Sequence, residues 1–117
     1  MTKALLNPIT DHNFDSVVLQ SELPVFVCFV TQWCHTCYPA CLLASKLARS
    51  YNGKVKFVQV DIETNPELAD DYNIVAVPTL VLFRESQALK RLVGFQSLNT
   101  LGPLLDSAIA VESTPGI

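Results

Sequence analysis

Apolar and polar positions along the chain switch between two periods, and the switches mark out its elements. Behind Thr10 and Asp11, either of which can cap a helix, Phe14, Val17 and Val18 fall at helical spacing and predict a first helix of about ten residues. The run PVFVCFV at 24–30 is apolar on both faces, rich in β-branched and aromatic residues, and too short for a buried helix. It predicts a central parallel strand. Ala40, Leu43, Ala44, Leu47, Ala48 and Tyr51 return to the helical period as one stripe, which Asn52-Gly53 ends. VKFVQVDI at 55–62 reads as a strand, and Asn65 as the cap of a short helix opening with Pro66. VPTLVLF at 77–83 and ALKRLV at 88–93 are strands separated only by Arg84 to Gln87, which predicts an antiparallel hairpin. Leu101, Leu104, Leu105, Ala108 and Ile109 predict a closing helix, in which Pro103 is tolerated if Asn99 or Thr100 is the cap. The order is a β-α-β half followed by a β-β-α half. It implies an α/β domain with a central mixed β-sheet flanked by helices, spanning 1–117, with 111–117 expected as a disordered tail.

Composition narrows the possible functions. A chain of 117 residues suits one compact domain, and half of its residues are hydrophobic while only 16% are charged, too apolar for a disordered polymer. The net charge of −3, with eight Lys and Arg scattered along the chain, leaves no electrostatic footprint for nucleic acid or an anionic membrane. No apolar run approaches the ~18–20 residues of a membrane span, and the amino end MTKALLNPITDHNF lacks the apolar core of an export signal. The expectation is a cytoplasmic chain that works as a monomer. In a reducing compartment four cysteines point to a catalytic or metal-binding pair more than to a structural framework.

The stretch QWCHTCYPAC, residues 32–41, carries the candidate chemistry. It lies where the central strand gives way to the striped helix, so Cys34 faces the unpaired N–H groups and the positive end of the helix dipole, which stabilise a thiolate. Cys34 is thereby the candidate nucleophile, and Cys37, one turn on and covered, the candidate resolving thiol that attacks a mixed disulfide on Cys34. Cys28 within the apolar strand reads as a small buried hydrophobe. Cys41 follows Cys37 by four residues, where Cβ atoms stand about 5–6 Å apart against the ~3.8 Å a disulfide needs, so a bridge between them would require unwinding. Cys41 is therefore a packing residue or a regulatory thiol. A rival reading makes Cys34, His35, Cys37 and Cys41 a zinc or iron–sulfur ligand set, but ligands spread over two helical turns diverge. A second rival is a binding module that docks partners without turnover.

At Trp33-Cys34-x-x-Cys37, Asp61-Ile62-x-x-Asn65-Pro66, Val77-Pro78-Thr79-Leu80 and Val93-Gly94 the chain resembles the thioredoxin family, from about residue 5 to residue 110. The resemblance implies a thioredoxin fold, thiol–disulfide exchange with protein disulfides, a disulfide reductase as electron donor, and no cofactor or metal. It also implies that Trp33 flanks the cysteine pair. A cis peptide before Pro78 would face Cys34, with Val77 pairing its backbone to an extended substrate and Gly94 keeping the neighbouring surface low. Departures fall on functional positions. His35-Thr36 replaces Gly-Pro between the cysteines, and a cationic histidine beside the nucleophile favours the dithiol state, so the couple is expected to be less reducing than thioredoxin's ~−270 mV, toward the ~−120 mV end of the range. The family's buried Asp and its Lys partner match Cys28 and Gln59 here, which removes both proton-handling charges; water or His35 could take over. The helix proline of the family lies at Leu42, whereas this chain carries Pro39, so any kink would move about one turn toward the cysteines. Ala76-Val77 stands in place of Gly-Ile before Pro78.

Overall fold

The computed structural model describes residues 5–112. Five strands form one sheet in the order β1-β3-β2-β4-β5: β1 (Asn7–Pro8), β2 (Val25–Val30), β3 (Lys56–Asp61), β4 (Thr79–Arg84) and β5 (Gln87–Val93). β3 runs parallel to both β1 and β2, while β4 is antiparallel to β2 and to β5, so the sheet is mixed. Helices α1 (Cys37–Ser50), α2 (Pro66–Asp71) and α3 (Leu98–Glu112) complete the chain, with a π-helical turn at Asp15–Leu19.

β2 holds the molecule together because all six of its residues are buried. Its alternate side chains serve two different cores, as the two-residue period of a strand requires. Phe26, Cys28 and Val30 join Cys37, Cys41, Ala44 and Leu47 of α1 and Leu101 and Leu105 of α3. Val25, Val27 and Phe29 join Phe14, Val18, Leu68 and Ile74 on the opposite face. Burial of each large side chain contributes roughly 1.5–3 kcal/mol, so the doubly covered strand is the least replaceable element of the fold. Its exit sets the direction in which the chain enters α1.

Several elements differ from the sequence expectation, each for a local reason. β1 pairs at only Asn7 and Pro8, too short for any periodicity to register. The first helix of about ten residues is instead a turn over 11–13 that leads into the π-helical turn. Thr10 does act at its start, accepting a hydrogen bond from His12 N at 3.2 Å on Oγ1, but Gln20 N bonds Asp15 O, five residues back, and closes the segment early. Asn65 stands at the N-cap of α2 without capping it: its Oδ1 accepts from Asp11 N at 2.9 Å and its Nδ2 donates to Asp61 O at 3.0 Å. α3 begins at Leu98, with Thr100 N and Leu101 N bonded to Ser97 O, so Pro103 lies inside the helix and the caps expected at Asn99 or Thr100 are helical residues. It also continues through residues 111 and 112, the start of the expected tail, and 113–117 lie outside the described residues. The β4–β5 connection is tighter than four residues. Glu85 and Ser86, with φ of 52° and 71°, make a two-residue turn of the kind whose twist matches a hairpin.

Candidate active site

Cys34 sits in the turn between β2 and α1, half-buried, and Cys37 is the first residue of α1 and only 4% exposed. Both are thiols, as are Cys28 and Cys41. The helix start acts directly on Cys34: Cys37 N donates to Cys34 Sγ at 3.2 Å, and Thr36 Oγ1 lies 3.4 Å from the same sulfur. Thr36 occupies the N-cap position of α1, yet its side chain makes no capping bond and serves the thiol instead. Burial pushes the Cys34 thiol up, but hydrogen bonds from the Cys37 and Thr36 side chains and from their backbone N–H groups outweigh it and leave Cys34 below its ordinary value. The opposite holds one turn on. Burial, with the hydrogen bond Cys37 gives to Cys34, pushes the Cys37 thiol up to about 12, only partly opposed by a backbone hydrogen bond at Thr31. The site therefore contains one thiol disposed to ionise beside one held protonated.

Pro39 falls in the first turn of α1, where a backbone N–H has no intrahelical partner, so it removes no helix hydrogen bond and gives no cause for the kink expected there. His35 and Thr36 are exposed. Trp33 is 66% exposed and anchored by its Nε1, which donates to Glu63 Oε2 at 2.7 Å. The Val77–Pro78 peptide is cis, and the Val77 carbonyl lies 3.7 Å from Cys34 Sγ. Val77 is half-buried, whereas Pro78 is buried and presents little of its ring to a partner. Gly94 bonds Pro78 O through its N–H at 2.8 Å and adopts φ of 89°, a left-handed conformation that favours glycine. A Cβ there would meet nothing within 4 Å, so a side chain would stand out over the surface. The structure thus sets the Val77 carbonyl against Cys34 and Gly94 against Pro78, while Trp33, next to Cys34 in the chain, is tied to Glu63. Val75, 94% exposed, belongs to the same loop as Val77 and escaped sequence reasoning because a lone valine next to Ala76 carries no periodic signal.

Beneath the pair, Cys28 lies opposite Gln59 on β3 and packs in one cluster with Cys37 and Cys41. A hydrogen bond to Cys41, followed by burial, holds the Cys28 thiol well above its ordinary value; the same hydrogen bond, opposed by burial, draws Cys41 below its own. Gln59 Oε1 accepts from Leu6 N at 3.0 Å, a structural contact. Among the described residues no group of three or more His, Cys, Asp or Glu is gathered as a metal site would require, and no helix is long and apolar enough to cross a membrane. The ligand set of Cys34, His35, Cys37 and Cys41 is divided by the helix start, with His35 exposed and Cys37 and Cys41 turned into the core.

Residues 6–107 match the thioredoxin family model. The chain is 36% identical over 98 residues to thioredoxin 1 of a Nostoc species, covering 84% of this chain and 92% of that one. It is 31% identical over 105 residues to the thioredoxin of Rickettsia felis, covering 90% of this chain and all of the relative. It is also similar to chloroplastic thioredoxin M5 of rice, 32% identical over 100 residues, 86% of this chain and 58% of that protein. With the mixed sheet, the flanking helices and the Cys34-x-x-Cys37 pair at the head of α1, the chain belongs to the thioredoxin family of thiol–disulfide oxidoreductases.

Proposed function

We propose that the chain reduces or exchanges disulfides of partner proteins through Cys34 and Cys37, is recharged by a disulfide reductase, works as a monomer in the cytoplasm, and runs at a potential above that of ordinary thioredoxin. The observation that carries this reading is the split between two neighbouring thiols: Cys34 lowered by the donors around its sulfur, Cys37 pushed up to about 12. Cys34 attacks the substrate disulfide as a thiolate; Cys37, protonated until needed, then attacks Cys34 Sγ in the mixed disulfide and releases the reduced substrate. Trp33, the Val77 backbone and the open surface over Gly94 supply the docking rim, with Pro78 supporting it from below. The potential rises because stabilising the Cys34 thiolate stabilises the dithiol state. Thr36 contributes through its hydroxyl at 3.4 Å, and His35 supplies positive charge when protonated.

Replacing Cys37 with Ser tests the mechanism: the variant should accumulate protein substrates as mixed disulfides on Cys34, reversed by dithiothreitol. A Cys37→Ser protein that traps nothing from any reducible substrate, in a chain whose wild type shows no turnover, would favour a docking module. The neutral pair Cys28 and Gln59 beneath the site is the feature that favours that second reading.

A further inference from the structure

The mechanism above leaves one proton unaccounted for. Cys37 must ionise to resolve the mixed disulfide, yet its thiol is held up to about 12 and the groups directly beneath it, Cys28 and Gln59, carry no charge to receive a proton. A cleft of about 220 Å³ runs alongside, lined by Thr31, Cys34, Cys37, Cys41, Gln59 and Asp61 among others. Its volume accommodates several water molecules, and its polar lining is of the kind that holds them. Two features give the cleft a direction. The Thr31 hydroxyl, on a residue 5% exposed, finds no hydrogen-bond partner among the described residues, although a buried hydroxyl ordinarily requires one. Asp61, at the end of β3, is the one carboxylate among the residues lining the cleft. The other titratable groups there are the Cys34 thiol, the Cys41 thiol and the Tyr38 phenol, with Cys28 facing Cys37 from β2.

We propose that Asp61, through water held in this cleft by the Thr31 hydroxyl, accepts the proton that Cys37 loses during resolution. The proposal rests on the exchange reading above. The Cys37 Sγ–H proton passes through water to the Asp61 carboxylate, and the Cys37 thiolate attacks Cys34 Sγ. The Cys34–Cys37 bond forms as the bond from Cys34 to the substrate sulfur breaks. The substrate leaves as a thiolate and takes a proton from solvent, Asp61 returns its proton to solvent, and two electrons have moved from the protein thiols to the substrate.

The test uses 5,5′-dithiobis(2-nitrobenzoate) with the reduced full chain by stopped flow. One nitrothiobenzoate is released when Cys34 attacks and a second when Cys37 resolves, and Cys37→Ser identifies the second phase by removing it. Absence of the first phase in the wild type would fail the exchange reading itself, independently of the role of Asp61. Asp61→Asn keeps the Oδ1 acceptor that receives Glu63 N at 2.9 Å, so it changes charge with little change of shape. It should slow the second phase about tenfold at pH 7, less than the ~10²–10⁴-fold of direct general-base assistance because water in the cleft still carries the proton, with the deficit shrinking toward pH 10 as hydroxide takes over. Thr31→Val removes the unpartnered hydroxyl, a change that does not itself destabilise the fold, and should slow the same phase with the same pH dependence. A deficit of threefold or more at pH 7 that shrinks with rising pH supports the proposal; a smaller deficit, or one constant across pH, overturns it. Should Asp61→Asn fail to fold, Thr31→Val decides by the same criterion.

Discussion

The difference between the two active-site thiols predicts a large, pH-dependent selectivity in their chemistry. At pH 8 a thiol at about 12 is ionised to about one part in ten thousand, whereas a thiol below 9.0 is ionised to at least about one part in ten. The thiolate populations of Cys34 and Cys37 therefore differ by about a thousandfold or more. Part of this is returned because a more basic thiolate is the better nucleophile, by an exponent of ~0.4–0.5 in the pKa difference. The net expectation is that Cys34 reacts at least about tenfold faster than Cys37, before the near-complete cover over Cys37 is considered. The assay is a timed iodoacetamide pulse on the reduced protein, followed by digestion and fragmentation mass spectrometry. Fragmentation is needed because no Lys or Arg separates Cys28, Cys34, Cys37 and Cys41. Between pH 8 and pH 10 the Cys37 rate should rise about a hundredfold while the Cys34 rate rises no more than about tenfold. Labelling of Cys37 within fivefold of Cys34 at pH 8, or parallel pH dependence of the two, would refute the assignment.

Two further outcomes follow from the same structure. Because the folded chain holds the Cys37 thiol up to about 12 while the unfolded chain ionises near 9, the unfolded state loses its proton first. The reduced protein should therefore lose stability from pH 9 upward by at most about 1.4 kcal/mol per unit, seen as a falling urea midpoint; the oxidised protein, lacking that thiol, should fall less steeply over the same window. At the β4–β5 turn Glu85 carries a φ of 52°, which asparagine tolerates better, so Glu85→Asn should raise the urea midpoint by an amount equivalent to about 0.5–1 kcal/mol, and a lowered midpoint would contradict the turn geometry.

Strands β2 to β5 and α1 were legible because their residues answer to one dominant pattern. PVFVCFV is apolar at every position, and only a strand covered on both faces accepts that. Cys34 and Cys37 were legible from their place between that strand and the helix behind it. The failures concentrate where side chains compete with the backbone. The segment after Thr10 satisfies hydrogen-bonding groups through Thr10 and Asn13 side chains, so apolar spacing at Phe14, Val17 and Val18 overstated the helix. Asn65 has the composition of a cap, but a partner 54 residues away at Asp11 takes its oxygen. The cleft had no sequence signature, because Thr31, Cys37 and Asp61 meet only when β2, α1 and β3 are assembled. Trp33 was recognisable from its motif, while its tether to Glu63, 30 residues on, was not.

The most direct test of redox exchange at Cys34 and Cys37 is an equilibrium titration of the purified chain in graded dithiothreitol buffers, with the oxidised fraction read by thiol alkylation and intact mass. A single two-electron transition that maps to Cys34 and Cys37, at a potential above thioredoxin's ~−270 mV, is the predicted result. No reversible transition in that window, or one that maps to other cysteines, would contradict redox exchange at this site; a transition at or below ~−270 mV would retain the exchange and refute its tuning by His35 and Thr36.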